Sequence, residues 1–202
     1  MLRLPAWIES CALKFSQTYC VVDQNLRILW VGGDWDEFAL DNGGPSAVSN
    51  KVLSSRIDDH IAGKETKDAV VSLIETVLET QNTLTIDYRG DSPYQLRRYQ
   101  MTVQPMKQYR VLIVHDLREA QNLAHPHPHW HYQPDAPASK CSFCNAVRQG
   151  DGDWIPAERL DSHPVAVNYL ICENCMANIR AAIEAARANR KPGKPVVNGF
   201  GP

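Results

Sequence analysis

Residues 97–117 read RRYQMTVQPMKQYRVLIVHDL, and this stretch decides the fold class. Tyr99, Met101 and Val103 alternate with Arg98, Gln100, Thr102 and Gln104. Side chains of a strand point to opposite faces in turn, so this is a strand with one buried side, as in an antiparallel sheet. The following run, RVLIVHDL, is apolar without alternation and belongs in the middle of that sheet. Working outward, Thr83–Arg89, Tyr94–Met106 and Tyr109–Leu117 are expected as three strands. Before them, Val70, Leu73, Ile74, Val77 and Leu78 recur at steps of three and four, which predicts a helix over Lys64–Gln81. Further upstream, TYCVVD (18–23) and LRILWVG (26–32) flank Gln24-Asn25, a hairpin signal. Between Asp34 and Gly63, the breakers Gly43, Gly44 and Pro45 leave room only for one-turn helices and loops. The sum is an α+β fold: five strands in one antiparallel sheet, with the helices over one face.

Ahead of the sheet, Trp7, Ile8, Cys11, Ala12 and Phe15 form one stripe on an expected helix from Pro5 to Ser16. That stripe needs burial on its own domain or on a second copy. The 202 residues suit one domain with a small appendage. A hydrophobic share of 44% with 22% charged residues is that of an ordinary globular chain. The net charge of −2 gives no bulk attraction to nucleic acid or to an anionic membrane. MLRLPAWIES lacks the apolar core of a signal peptide, and no stretch approaches the ~18–20 apolar residues that span a bilayer. The expectation is therefore a cytoplasmic, reducing location in which thiolates are free to bind metal.

The cysteines are Cys11, Cys20, Cys141, Cys144, Cys172 and Cys175. The last four read C-x2-C, 27 residues, C-x2-C. Two such turns can present four soft sulfurs to one Zn²⁺, and four protein ligands leave no open position for chemistry. A thioredoxin-type dithiol would show one pair rather than two. Cys11 and Cys20 read as small buried hydrophobes. After Cys175, Met176, Ile179, Ala182, Ile183 and Ala186 make a narrow apolar stripe on a helix with a basic end, Arg180, Arg187, Arg190, Lys191 and Lys194. Between the modules, His125, His127, His129 and His131 alternate in HPHPHWHYQ, where the prolines favour an extended chain. The plain reading is a stiff polar linker. Imidazoles also suit Zn, Cu or Ni, which makes weak metal binding the alternative.

Several stretches resemble a PAS-like subfamily of bacterial signalling proteins: DWDEFALDNGG (Trp35, Phe38, Ala39, Asn42, Gly43), IAGKET (Ile61 to Thr66), YRGDSP (Tyr88 to Pro93), and Arg97, Arg98 and Met101. The resemblance implies a sensor or dimerisation domain, with a ligand pocket that Trp30, Trp35, His60, Tyr88, Tyr99, Met101 and His115 could line. His60 stands where haem-binding members place a ligand, although a lone histidine there reads more simply as a partly exposed helix residue. The C-terminal part resembles a short four-cysteine tail that follows PAS or receiver domains, through Cys141, Ser142, Cys144, Arg148, Trp154, Pro156, Glu158, Cys172 and Cys175. It departs from that pattern at Asn168-Tyr169-Leu170 and at Glu173.

The expected layout is an N-terminal amphipathic helix (1–17), a PAS-like domain (18–118), a His/Pro-rich linker (119–138), a zinc-ribbon-like module with a C-terminal helix (139–190) and a tail (191–202). The leading functional expectation is a signalling protein without catalysis, acting on an unidentified protein partner and dimerising through the N-terminal helix and the sheet. The alternatives are nucleic-acid binding through Arg148, Arg180, Arg187 and Arg190, and metal sensing by the histidine run.

Overall fold

The computed structural model describes residues 17–189. The expected N-terminal helix, with Cys11, and the tail from Arg190 onward lie outside the described residues. β1 (Gln17–Val22) and β2 (Ile28–Gly33) form the hairpin around Gln24-Asn25. Its turn is held by the Asp23 carboxylate, which accepts the backbone N–H of Asn25 at 2.8 Å and of Arg27 at 2.9 Å. β3 (Leu84–Arg89), β4 (Gln95–Met106) and β5 (Arg110–Asn122) complete a five-stranded antiparallel sheet ordered β2-β1-β5-β4-β3. The apolar run of β5 is central, as its lack of alternation predicts.

Between β2 and β3 come α1 (Trp35–Asp41), α2 (Ser49–Val52), a 3-10 turn at Ile57–His60, and α3 (Lys64–Thr80). α3 stops where Gln81 turns left-handed, at φ 56°, and donates its N–H to the Val77 carbonyl. Leu73, Ile74 and Val77 of α3 are fully buried against Val22, Ile86, Met101, Val103 and Ile113 of the sheet. On the sheet's other face Tyr19, Val21 and Leu112 form a second apolar cluster with Leu29, Trp30, Met106 and Val114.

The C-terminal part builds a smaller sheet from β6 (His131–Tyr132), β7 (Ala138–Cys141), β8 (Val147–Gln149) and β9 (Ala166–Leu170), ordered β6-β9-β7-β8. α4 (Glu173–Ala188) follows. Cys141, Phe143, Ile171, Cys172, Ile179 and Ala186 belong to the same buried cluster as Leu73, Ile74 and Val77, so a single core runs through both parts. Residues 119–138 differ from the expected linker. β5 continues to Asn122, His131 and Tyr132 pair with β9, and Ala138 already begins β7. His127 is buried, with its backbone N–H donated to the Pro93 carbonyl at 2.7 Å. Backbone donors and acceptors in a segment lying on protein need partners, and the neighbouring strands supply them.

A shared core has a measurable consequence. Ile179→Ala, at a 2% exposed position on α4, is expected to cost about 2–5 kcal/mol in denaturant unfolding and to shift one cooperative transition rather than one of two. A biphasic melt in which only one step moves would contradict the continuous core.

Candidate metal centre

The first cysteine pair sits in the turn of the β7–β8 hairpin. Cys141 ends β7, its N–H meets the Ala146 carbonyl at 2.8 Å, and its own carbonyl accepts the Asn145 N–H at 3.0 Å. This tight turn needs a left-handed residue, and Asn145 supplies it at φ 62°. The buried Lys140 ammonium donates to the Asn145 side-chain oxygen at 2.5 Å and steadies it. The second pair sits at the start of α4, with Cys172 as the residue that caps the helix and Cys175 in its first turn. A helix N-terminus favours negative charge, which suits a thiolate. The second pair thus opens a helix, where a ribbon would have a matched second turn.

The four sulfurs all lie within 4.8 Å of one another, and Cys144 Sγ is 3.7 Å from Cys172 Sγ. Sulfurs at the usual bond length of about 2.3 Å from a tetrahedral ion stand about 3.8 Å apart, so this spacing fits an ion bound by four thiolates. The backbone N–H of Cys172 points at Cys141 Sγ at 3.4 Å, and the Cys144 and Ala146 amides donate to Cys141 and Cys144 sulfur. Hydrogen bonds from the Cys144 and Cys175 thiols hold Cys141 far below the ordinary thiol range. The same contact with Cys141 pushes Cys144 up to about 12 and raises Cys175 as well. Sulfurs this close do not all ionise unless a cation sits among them. Among the described residues these four cysteines are the one cluster of three or more His, Cys, Asp or Glu side chains able to hold an ion.

The site is fastened to the main sheet and to α3. Ser142 Oγ and Thr66 Oγ1 are 2.6 Å apart, Glu65 accepts the Ile171 N–H at 3.0 Å, and the Arg89 N–H reaches the Phe143 carbonyl at 2.7 Å. The Arg89 guanidinium lies between Asp91 at 2.5 Å and Glu158 at 3.1 Å. Gly63, at φ 82°, passes so near β9 that an added Cβ would lie 2.6 Å from the Tyr169 carbonyl oxygen. Of the arginines expected to meet phosphate, Arg148 stacks on Trp154 at 4.7 Å and faces Glu173, Arg187 faces Glu79, and Arg180 is exposed. Arg190 lies outside the described residues. The α4 stripe is occupied within the chain: Ile179 and Ala186 are buried, and Met176, Ala182 and Ile183 pack beside them.

The expected pocket residues divide. Tyr88 stacks on Tyr99 with ring centres 5.3 Å apart, and its hydroxyl hydrogen-bonds His115 Nδ1 at 2.9 Å. Met101 pairs in register with Ile86 and His115. Trp35 packs on the same core and donates its indole N–H to the Ala47 carbonyl at 2.8 Å. Trp30 is set apart on the sheet's far face, because its cross-strand partner Val21 points there. His60 is exposed, and its Nε2 is hydrogen-bonded to the Ser55 hydroxyl at 2.6 Å. Three residues absent from the expected lining join the tyrosines instead. Phe38 meets Tyr99 edge-on, and Arg97 covers both rings while donating to the Gly90 carbonyl and to Asn42. All three stand in the stretches that carry the PAS resemblance, which was the available signal.

The histidine run does not line up on one side. His127 is buried against the His163 ring, 4.7 Å away between centres, while His125, His129 and His131 are exposed. Cys20 is buried on the helix side of the sheet, and burial pushes its thiol up to about 12. Among the described residues no helix is long and apolar enough to cross a membrane. No protein-family model matches the chain, and no curated protein matches it either.

His115 makes acid stability a test of this cluster. Burial pulls its pKa from 6.5 down to about 4, so the folded protein holds fewer protons than the unfolded chain between those values. Stability should be complete above about pH 6.5 and fall as the pH drops towards 4, by up to about 3 kcal/mol from this residue. Denaturant unfolding of His115→Gln across that range should show a correspondingly shallower slope. An unchanged slope would remove His115 as the cause.

Proposed function

We propose that this protein is a PAS-like signalling module, a sensor or dimerisation domain joined to a structural-zinc module that acts through contacts with a partner protein. The observation behind the reading is that the stretches resembling PAS domains supply both the aromatic cluster and the joints to the cysteines. Phe38, Asn42, Tyr88, Arg97 and Tyr99 gather at the rings, while Gly63, Thr66 and Arg89 touch the four-cysteine part. Two strands, short helices, a long helix and three strands are also the order that the resemblance implies.

Zinc is the ion that best suits four soft ligands at tetrahedral spacing. Bound there, it would supply no catalytic position; it would fix the hairpin turn to the start of α4. Arg89 and α3 then connect the aromatic cluster to that module. A shift at Tyr88 would be passed on through its chain neighbour Arg89, whose amide and guanidinium both hold the module.

Native mass spectrometry of the purified full chain should find one zinc per chain. Cys172→Ser should abolish tight zinc binding and lower the melting temperature. A metal-free chain of unchanged stability would refute the structural-zinc reading. Zinc-loaded protein that stays monomeric and recovers no partner in a pull-down would refute the signalling reading.

A further inference from the structure

We infer that His127 and His163 form an acid-operated latch, which holds the segment 123–132 against the rest of the chain at neutral pH and lets it go when His127 takes up a proton. The segment runs from the end of β5 through β6 and is tied down at three backbone points. The Leu123 N–H donates to the Tyr94 carbonyl at 2.9 Å, the His127 N–H to the Pro93 carbonyl at 2.7 Å, and the His131 N–H to the Val165 carbonyl at 2.8 Å. Between these points the contact is made by rings. His127 and His163 lie 4.7 Å apart between centres, tilted by 39°, and Trp130 meets them at 6.4 Å and 5.9 Å. His163 is fixed from its own side, where Nε2 donates to the Ala157 carbonyl at 2.9 Å.

Neutral imidazoles suit this packing and a charged one does not. His127 is 5% exposed, and its Nδ1 is shielded from solvent with no hydrogen-bond partner among the described residues. A proton on that ring would create a buried cation with an N–H that no acceptor meets. The charged and titratable groups facing His127 are His163 from the loop before β9, Arg89 and Asp91 from the end of β3, and Glu158 from the 3-10 turn Ala157–Arg159. Asp91 and Glu158 favour the proton, but both carboxylates are already engaged by the Arg89 guanidinium, at 2.5 Å and 3.1 Å. Burial is the largest influence and, with His163 and Arg89, holds His127 below the ordinary histidine range. The latched form therefore takes up the proton less readily than the released one. The latch is fully closed above about pH 6.5 and loosens as the pH falls below it. His125, His129 and His131 of the same segment are exposed to water. Release lifts Trp130 off the Lys140 ammonium, 5.7 Å from its ring, and frees β6 from β9, so the effect falls on the part that carries the cysteines.

Amide hydrogen exchange followed by NMR on the zinc-loaded full chain tests the latch. After correction for intrinsic exchange, protection of the Leu123 and His131 amides should fall about threefold or more between about pH 7.5 and about pH 5.5. Ile113, in the middle of β5, should remain the better protected at both. His127→Phe keeps a flat ring beside His163 and removes the titrating group, so in that variant the fall at Leu123 and His131 should vanish. A fall of the same size in His127→Phe would overturn the proposal. Equal protection of His131 and Ile113 at the lower pH would do the same, since the whole fold would then be opening. The native chain gives a further check that needs no variant: a His127 ring that titrates while Leu123 and His131 stay protected would also refute the latch. None of these readouts depends on whether the protein signals.

Discussion

Four sulfurs confined within 4.8 Å set the condition on which the C-terminal half depends. Left to themselves, they share protons unequally, with Cys141 held as a thiolate by the thiols of Cys144 and Cys175. A cation relieves that conflict and makes the contact attractive. The hairpin turn and the helix start that present the sulfurs are otherwise joined by little: a short parallel pairing of β7 with β9, the Ser142 N–H donated to the Leu170 carbonyl at 2.9 Å, and one N–H···S contact from Cys172 to Cys141. A part of about 50 residues buries so little apolar surface that its stability alone is marginal. The second support is the main sheet itself, because Phe143, Ile171 and Ile179 complete a core begun by α3.

Arg89 is the point at which these two supports meet. Its amide continues the β3 edge onto the Phe143 carbonyl, and its guanidinium, 13% exposed, is shared between Asp91 and Glu158. A half-desolvated ion pair adds little net stability, but removing one member strands the others as uncompensated charge. Arg89 therefore sets the angle between the sheet and the cysteine-bearing part more than it strengthens either. Tyr88, the residue before it, points to the opposite side and into the ring cluster.

The elements that repeat locally were legible in the sequence. The alternation of Tyr99, Met101 and Val103, the stripe of α3 and the doubled C-x2-C are each patterns of a few residues, and each has the expected result in the fold. What was not legible depends on distant partners. The prolines and histidines of 119–138 look like a linker until Pro93 and β9 offer them hydrogen bonds. Trp30 looks like a pocket residue until its pairing with Val21 turns it to the other face. The alternation of four histidines promised one shared side, and the burial of His127 against His163 removed one of them from it. Position along the chain says nothing of such contacts.

The parallel pairing of β9 with both β6 and β7 has a consequence for how the protein is made. Strands β6, β7 and β8 leave the ribosome before the strand that joins them, and Cys141 and Cys144 emerge well ahead of Cys172 and Cys175. Closing that distance costs chain entropy that no local contact repays, so the small sheet is a late event in folding. Until α4 is released and its Ala186 carbonyl meets Asn82, the sheet of the first half waits with part of its core uncovered and two thiols unpartnered. That interval is when the nascent chain is most open to aggregation or to the wrong metal.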